Sequence, residues 1–386
     1  MNDVLKKRIV CFSANLLATA SVLISSGCLF GKIKNYSSFS LNNIDFLAAK
    51  SVFGSEISVP KFSSWFSKSK NKSNIYFEAG NNTNKPEEPL PEKKSPEIQT
   101  SDMDLPAVND DKDDDEVHSE NEKKYKIIES EFKSGGSKFE NFYVKNTTGQ
   151  DIDIAHELSL KPEINIKKND KPQVLIFHTH TSESYMKKDL GFFYESFYPR
   201  SLNDNNNVTR VGQAITDKLI ENGINTVHDM TYHDTPSYNG SYNRAAETIK
   251  KNLEKYPSLQ VVIDIHRDSL GSKESGKIKP TFKYKDKKAA QMMVVSGCDP
   301  DNSMGFPNWE KNLRFALRIQ KYCETMFPGI TRPMHFAKVK YNEHLTPGSV
   351  LIEVGSDVNT LEEAVNTGTM IGESLSKLLN DLQKEG

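Results

Sequence analysis

Cysteine is nearly absent from this chain. Among 386 residues only Cys11, Cys28, Cys298 and Cys323 occur, and no two of them stand in a CxxC spacing. That pattern excludes a disulfide framework and a cysteine-based zinc site, and Cys298 and Cys323 are expected to be reduced and buried. An excess of one charge is missing too. The 50 Lys and Arg against 52 Asp and Glu leave a formal net charge of −2, which excludes a strongly basic nucleic-acid binder. No internal repeat is visible.

Long apolar runs are scarce, with one exception at the start. Lys6, Lys7 and Arg8 precede residues 9–31, which carry no charge. This length matches the ~20 residues that span a bilayer. A cleaved signal peptide is the alternative, but its apolar core is shorter, about 7–15 residues. The length therefore favours an uncleaved single-pass anchor in the cell membrane, and the basic residues before it predict that everything after it is extracytoplasmic.

Residues 32–124 read as a low-complexity linker. Seven lysines between Lys32 and Lys72 face only Asp45 and Glu56, a juxtamembrane bias that suits an anionic surface. "NNTNKPEEPLPEKKSPE" follows, then a block at 101–124 with ten acidic residues and three lysines. Such a run buries too little apolar surface to fold and is expected to be a solvated, disordered tether. It lacks the Gly and Glu positions of an EF-hand loop.

Ordered structure is expected over residues 125–386. "YKIIESEF" and "NFYVKN" read as short strands joined by the turn "KSGGSK". Apolar runs then alternate with amphipathic stretches. "VLIF", "LQVVIDIHRDS", "QMMVVSG" and "SVLIEVGS" read as strands. "NVTRVGQAITDKLIENG", with Val208, Val211, Ile215 and Leu219 on one face, reads as a helix stopped by Gly223. "NRAAETIKKNLEKYP" and "NWEKNLRFALRIQKYCETMF" are further helices. The last helix, "TLEEAVNTGTMIGESLSKLLNDL", is opened by a capping box from Thr360 to Glu363. The alternation implies an α/β fold with a mostly parallel central sheet flanked by helices.

Three of the strands end in polar residues. "VLIFHTHTSE" ends in His178, His180 and Glu183, "VVIDIHRDS" in His266, and "SVLIEVGS" in Glu353. In open α/β sheets, sites form outside the carboxyl ends of strands. Three strand tips that each end in His or Glu supply the N/O ligands that a catalytic zinc wants, with no cysteine needed. His180 and Glu183 form an HxxE pair, a spacing that brings i and i+3 to one side of a tight turn. It resembles the zinc pair of carboxypeptidase-type metallohydrolases, whose third ligand is a distant His, here His266. Glu353 then suits the carboxylate that takes a proton from water and passes it to the leaving amine. His178 is either an alternative ligand to His180 or a supporting hydrogen-bond donor. Arg267, directly after His266, suits either a substrate contact or a structural ion pair. "HDMTYHDTPSYNGSYNR" adds His228, His233 and three tyrosines in a turn-rich stretch that suits a carbohydrate or peptide groove. His335 and His344 have no partner pattern and are read as structural.

"VLIFHTHTSESY", "HDMTYHDTPSYNGSYNRAAETI", "VVIDIHRDS", "NWEKNLRFALRIQ" and "YNEHLTPGSVLIEVGSDVNTLEEA" together resemble the stage II sporulation protein P family over about residues 140–383. The resemblance implies a zinc-dependent peptidoglycan hydrolase of forespore engulfment, located in the septal and engulfing membrane. It implies cleavage of the amide between N-acetylmuramic acid and L-alanine, with endopeptidase action on cross-links. It also implies stage II sporulation proteins D and M as partners, and a domain similar to the zinc N-acetylmuramoyl-L-alanine amidases. Laid on their pattern, the first His falls on His180, the second on His266 and the catalytic Glu on Glu353. Their remaining ligand, a Glu at the start of the next helix, has no counterpart in "NNNVTRVGQ", and Glu183 is inferred in its place. Two other readings stay open: a catalytically silent wall-binding scaffold, and a carboxypeptidase that trims stem peptides.

Overall fold

The computed structural model describes residues 121–384. Its larger sheet has eight strands. These are β2 (Ser137–Phe139), β3 (Phe142–Asn146), β4 (Val174–Phe177), β6 (Thr226–His228), β7 (Val261–Asp268), β11 (Met292–Gly297), β12 (Met334–Ala337) and β13 (Ser349–Ser356), ordered β2-β3-β12-β11-β13-β7-β4-β6. Pairing is parallel except at the β2–β3 hairpin and between β11 and β13, so the expectation of a mostly parallel sheet holds.

The helices follow from the apolar spacing. α1 (Ile154–Ser159), α2 (Thr209–Glu221), α3 (Ser241–Lys255), α4 (Trp309–Met326) and α5 (Leu361–Lys384) alternate with the strands. Val208, Val211, Ile215 and Leu219 are fully buried along α2, and Gly223, with φ of 82°, takes the left-handed conformation that ends it. The capping box opens α5: Thr360 N–H donates to Glu363 Oε2 at 3.0 Å, and Glu363 N–H to Thr360 Oγ1 at 3.2 Å.

Strand alternation divides the sheet's two faces. Val174, Ile176, Ile263, Ile265, Val350, Ile352 and Val354 point into one large core shared with α2, α4 and α5. Leu175, Phe177 and Val262 point the other way, into a smaller core with Ala245 and Ile249 of α3. Since successive side chains oppose each other, Asp264, His266 and Glu353 share the face that α3 covers only in part. That asymmetry leaves room for a site.

A second sheet was not visible in the sequence pattern. Its strands are β1 (Lys124–Ser130), β5 (Phe192–Tyr194), β8 (Gly271–Ser272), β9 (Gly276–Tyr284) and β10 (Lys287–Ala290), in the order β10-β9-β1-β5 with β8 on β9. "YKIIESEF" therefore does not pair with "NFYVKN" across "KSGGSK". β1 runs parallel to β9, and β3 pairs instead with β2 and β12. Cys298 and Cys323 are free and buried. Among the described residues no helix is long and apolar enough to cross a membrane. The anchor read at 1–31 and all but the last few residues of the linker read at 32–124 lie outside the described residues.

Candidate active site

The chain after β4 is held in place from both sides. Glu183 N–H donates to the His180 carbonyl at 3.0 Å and closes a turn. Asp264 of β7 grips the same segment, accepting from Thr179 N–H at 2.8 Å and from Thr179 Oγ1 at 2.6 Å. Asp234 accepts from Ser182 Oγ at 2.6 Å and from Arg200 Nη1 at 2.7 Å. Every residue from His178 to Tyr185 is buried, and these bonds offset the cost of burying the polar groups they join.

The structure brings four of the sequence-predicted residues together. Glu353 is the direct neighbour of His266 across β13 and β7. Glu183 Oε2 lies 3.6 Å from His266 Nδ1, and the His180 and His266 rings stand edge to face at 5.2 Å. His266 turns its other nitrogen, Nε2, to Asp264 Oδ1 at 2.9 Å, although the N–H direction misses hydrogen-bond alignment.

His178 stands apart from this group. Its Nδ1–H donates to the Ile265 carbonyl at 2.9 Å, and its Nε2 meets His228 Nε2 at 2.9 Å, so both ring nitrogens are engaged. It lies on the α2 side, where a Cβ on Gly212 would come within 2.8 Å of its ring. Its position is that of a support, fixing the backbone one residue before His266. His233 continues the support, with Nδ1–H donating to the His178 carbonyl at 2.7 Å.

Arg267 also faces inward. Its backbone N–H donates to Glu183 Oε2 at 3.1 Å, its Nε to the Ser184 carbonyl at 3.2 Å and its Nη2 to the Pro199 carbonyl at 2.7 Å, with Nη1 3.7 Å from Glu183 Oε1. Of the two roles open to it, the geometry is that of an ion pair that orients Glu183.

Several residues escaped sequence reading. Tyr238 stacks on His180 at 4.3 Å and takes the Arg200 guanidinium on its ring at 4.9 Å. Tyr242 lies edge-on to His180 at 5.5 Å and stacks on Tyr341 at 5.2 Å. The tyrosine-rich stretch flagged a groove, but nothing in its spacing tied particular rings to His180. Asp264 was hidden in an apolar strand; its only signal was a charge at an otherwise core position.

The electrostatics separate the residues into roles. Burial pushes the His180 imidazole well below its ordinary range, with the nearby His266 adding to it, so His180 stays neutral with a lone pair free. Burial opposes charge on His266 too, but Asp264, then Glu183 and Glu353, outweigh it and raise the group to about 10. Burial, then the Asp268 carboxylate, lift Glu353 to about 8 against the pull of His266. The carboxylates of Asp264, Glu183 and Glu353 thus make the surroundings of His266 electronegative.

Among the described residues no group of three or more His, Cys, Asp or Glu is drawn together as a bound metal would hold it. The donor types and one spacing nevertheless match what a zinc ion takes. His180 Nδ1 and Glu353 Oε2 are buried with no hydrogen-bond partner. Two ligands on a tetrahedral zinc, each at ~2.1 Å, stand about 3.4 Å apart, close to the 3.6 Å between His266 Nδ1 and Glu183 Oε2. Asp264 behind His266 Nε2 matches the carboxylate that commonly orients a ligating histidine.

The sequence profile of the stage II sporulation protein P family matches residues 50–376. Stage II sporulation protein P of Bacillus subtilis (strain 168) is 29% identical over 227 residues, which cover 56% of this chain and 53% of the relative. The match thus spans about half the length of that curated relative. Among solved structures, the N-acetylmuramoyl-L-alanine amidase AmiC2 of Nostoc punctiforme is 13% identical with a TM-score of 0.32, covering 55% of this chain and 97% of its own. An N-acetylmuramoyl-L-alanine amidase of Clostridium difficile 630 is 14% identical with a TM-score of 0.32, covering 56% of this chain and 100% of its own. With the profile extending over most of its length, the chain belongs to the stage II sporulation protein P family.

Proposed function

We propose that this protein is a zinc-dependent peptidoglycan hydrolase that cuts the amide between N-acetylmuramic acid and the L-alanine of the stem peptide. The observation that carries the reading is the convergence of His180 and Glu183 from the segment after β4 with His266 of β7 and Glu353 of β13, the His180 and Glu353 donor atoms being buried and unpartnered. Family membership supports it.

His180, Glu183 and His266 would hold the metal. Zinc, when bound, supplies a positive charge that polarises the amide carbonyl and acidifies water. Arg267 holds Glu183 in its orientation through the backbone N–H and the guanidinium. Asp264 and His178 fix the backbone and ring at His266. Glu353 accepts a proton from the attacking water at its free Oε2 and delivers it to the leaving amine. The proposal extends to a membrane-anchored, extracytoplasmic location through residues 9–31, to a role in forespore engulfment, and to stage II sporulation proteins D and M as partners.

The test is mass-spectrometric analysis of products from purified peptidoglycan treated with the full chain, after chelation and again after zinc is restored. The expected result is zinc-dependent release of stem peptides with a free L-alanine amine. Release of C-terminal amino acids alone would mark a stem-peptide carboxypeptidase. No product from zinc-loaded protein would mark a silent wall-binding scaffold.

A further inference from the structure

Beyond Glu353, the sheet face that carries the candidate site continues across β11, β12 and β3. Strand pairing sets its residues in order: Glu353 opposite Met293, and His335 opposite Lys145. On this face Met293, His335, Lys145 and Tyr143 are half-buried and Val295, opposite His335, is buried, whereas the alternating Met292, Val294, Met334 and Val144 are all buried. The partly open face is therefore the one that Glu353 shares.

Two cations on it lack full partners. Arg332, 6% exposed, donates from Nη2 to Asp268 Oδ2 at 2.9 Å, but its Nη1 is buried with no hydrogen-bond partner. Lys145 Nζ is likewise buried without a partner. Asp268 balances one of these two charges. His335 joins them, with Nε2 3.2 Å from Thr147 Oγ1. The cluster acts as one electrostatic unit: burial and then Arg332 lower the Lys145 amine, and burial and then Lys145 lower His335 to about 4. An unpaired buried ammonium is costly, and an anion bridging Lys145 and Arg332 would remove that cost through charge-assisted hydrogen bonds.

We propose that Arg332, His335 and Lys145 form a subsite for a carboxylate on the peptide part of the substrate, three to four residues beyond the bond that is cut. The spacing supplies the register. β12 lies two strands from β13, and β3 three, or about 10 and 14 Å at ~4.8 Å per strand. An extended peptide rises ~3.3 Å per residue, so three to four residues cover that interval. Only the peptide side of a muramoyl peptide bears free carboxylates once the lactyl group is in the amide. The stem peptide therefore runs from Glu353 over β11 and β12 toward β3, and the glycan lies on the side of Tyr238 and Arg200. Lys145 must turn outward to meet the ligand, a rotamer change open to a flexible four-carbon stem.

The inference rests on the muramoyl-peptide reading, and the test separates the two. The full chain carrying Glu353→Gln is titrated calorimetrically with an N-muramoyl tetrapeptide bearing a free C-terminal carboxylate and with its C-terminal amide. The free acid should bind about tenfold tighter or more, as expected for a charge-assisted bond. Adding Lys145→Met should abolish that difference, and Lys145→Arg should retain it. Equal or absent binding of the two ligands, or a difference that survives Lys145→Met, overturns the subsite. Turnover of the same two peptides by the unsubstituted chain reports separately on the hydrolase reading. Carboxylate-dependent binding without turnover would sink catalysis and leave the subsite standing.

Discussion

Asp264 ties the two halves of the candidate site together. It takes both the N–H and the hydroxyl of Thr179 after β4, and it stands behind His266 Nε2 on its own strand. Asp264→Asn keeps the shape but removes a charge and one acceptor. We expect metal affinity to fall about 10- to 100-fold, the usual cost of losing such a supporting carboxylate, and stability to fall by about 1–3 kcal/mol. Zinc titration and urea denaturation check the two effects; unchanged zinc affinity would remove Asp264 from the site. At this scale, His180, Glu183, His266 and Glu353, which the fold brings together, stood out in the sequence because polar residues contradict the apolar pattern they follow. Sequence reading missed Asp264 because a single charge inside "VVIDIHRD" leaves the strand pattern intact. It also missed Arg200, which lies over the Tyr238 ring, and flagged Tyr238 only as one of three groove tyrosines without tying it to His180; both come from loops that carry no periodicity.

Helix α2 carries its information in one small residue. A Cβ on Gly212 would approach His228 Nε2 to 2.7 Å and the His178 ring to 2.8 Å. Alanine in place of a helical glycine ordinarily gains about 1 kcal/mol. Here the clash reverses the sign, and Gly212→Ala should cost about 1–3 kcal/mol, as overpacking of a tight interior does. Chemical denaturation decides it, and a stabilised variant would mean that the His178–His228 pair is not fixed against the helix. The element pattern itself was largely legible. The α2 stripe, the α5 capping box and the four apolar strands follow from spacing alone. The β2–β3 hairpin and the β1–β9 pairing were not legible, because short strands choose partners by long-range packing rather than by local sequence.

Over the whole described molecule, one face of the larger sheet is closed by α2, α4 and α5, and the other only in part by α3. That uneven cover makes a site possible beyond β4 and over the second halves of β7 and β13, and lets a substrate extend from it across β11 and β12. The second sheet, absent from the sequence reading, meets the main one near the same region: Ser356 Oγ of β13 donates to the Ile278 carbonyl of β9 at 2.7 Å. Which side chains converge was thus decided by the order of strands, and strand order is the part of a fold that local patterns carry least.

In the proposed mechanism Glu353 moves the proton while His180, Glu183 and His266 hold the metal. Glu353→Gln separates these roles in one protein. Zinc content of the purified variant, measured beside its release of stem peptides from muramoyl-peptide, should show one zinc retained and turnover reduced by at least about 100-fold, the usual contribution of a positioned general base. Near-normal release with zinc retained would contradict the account.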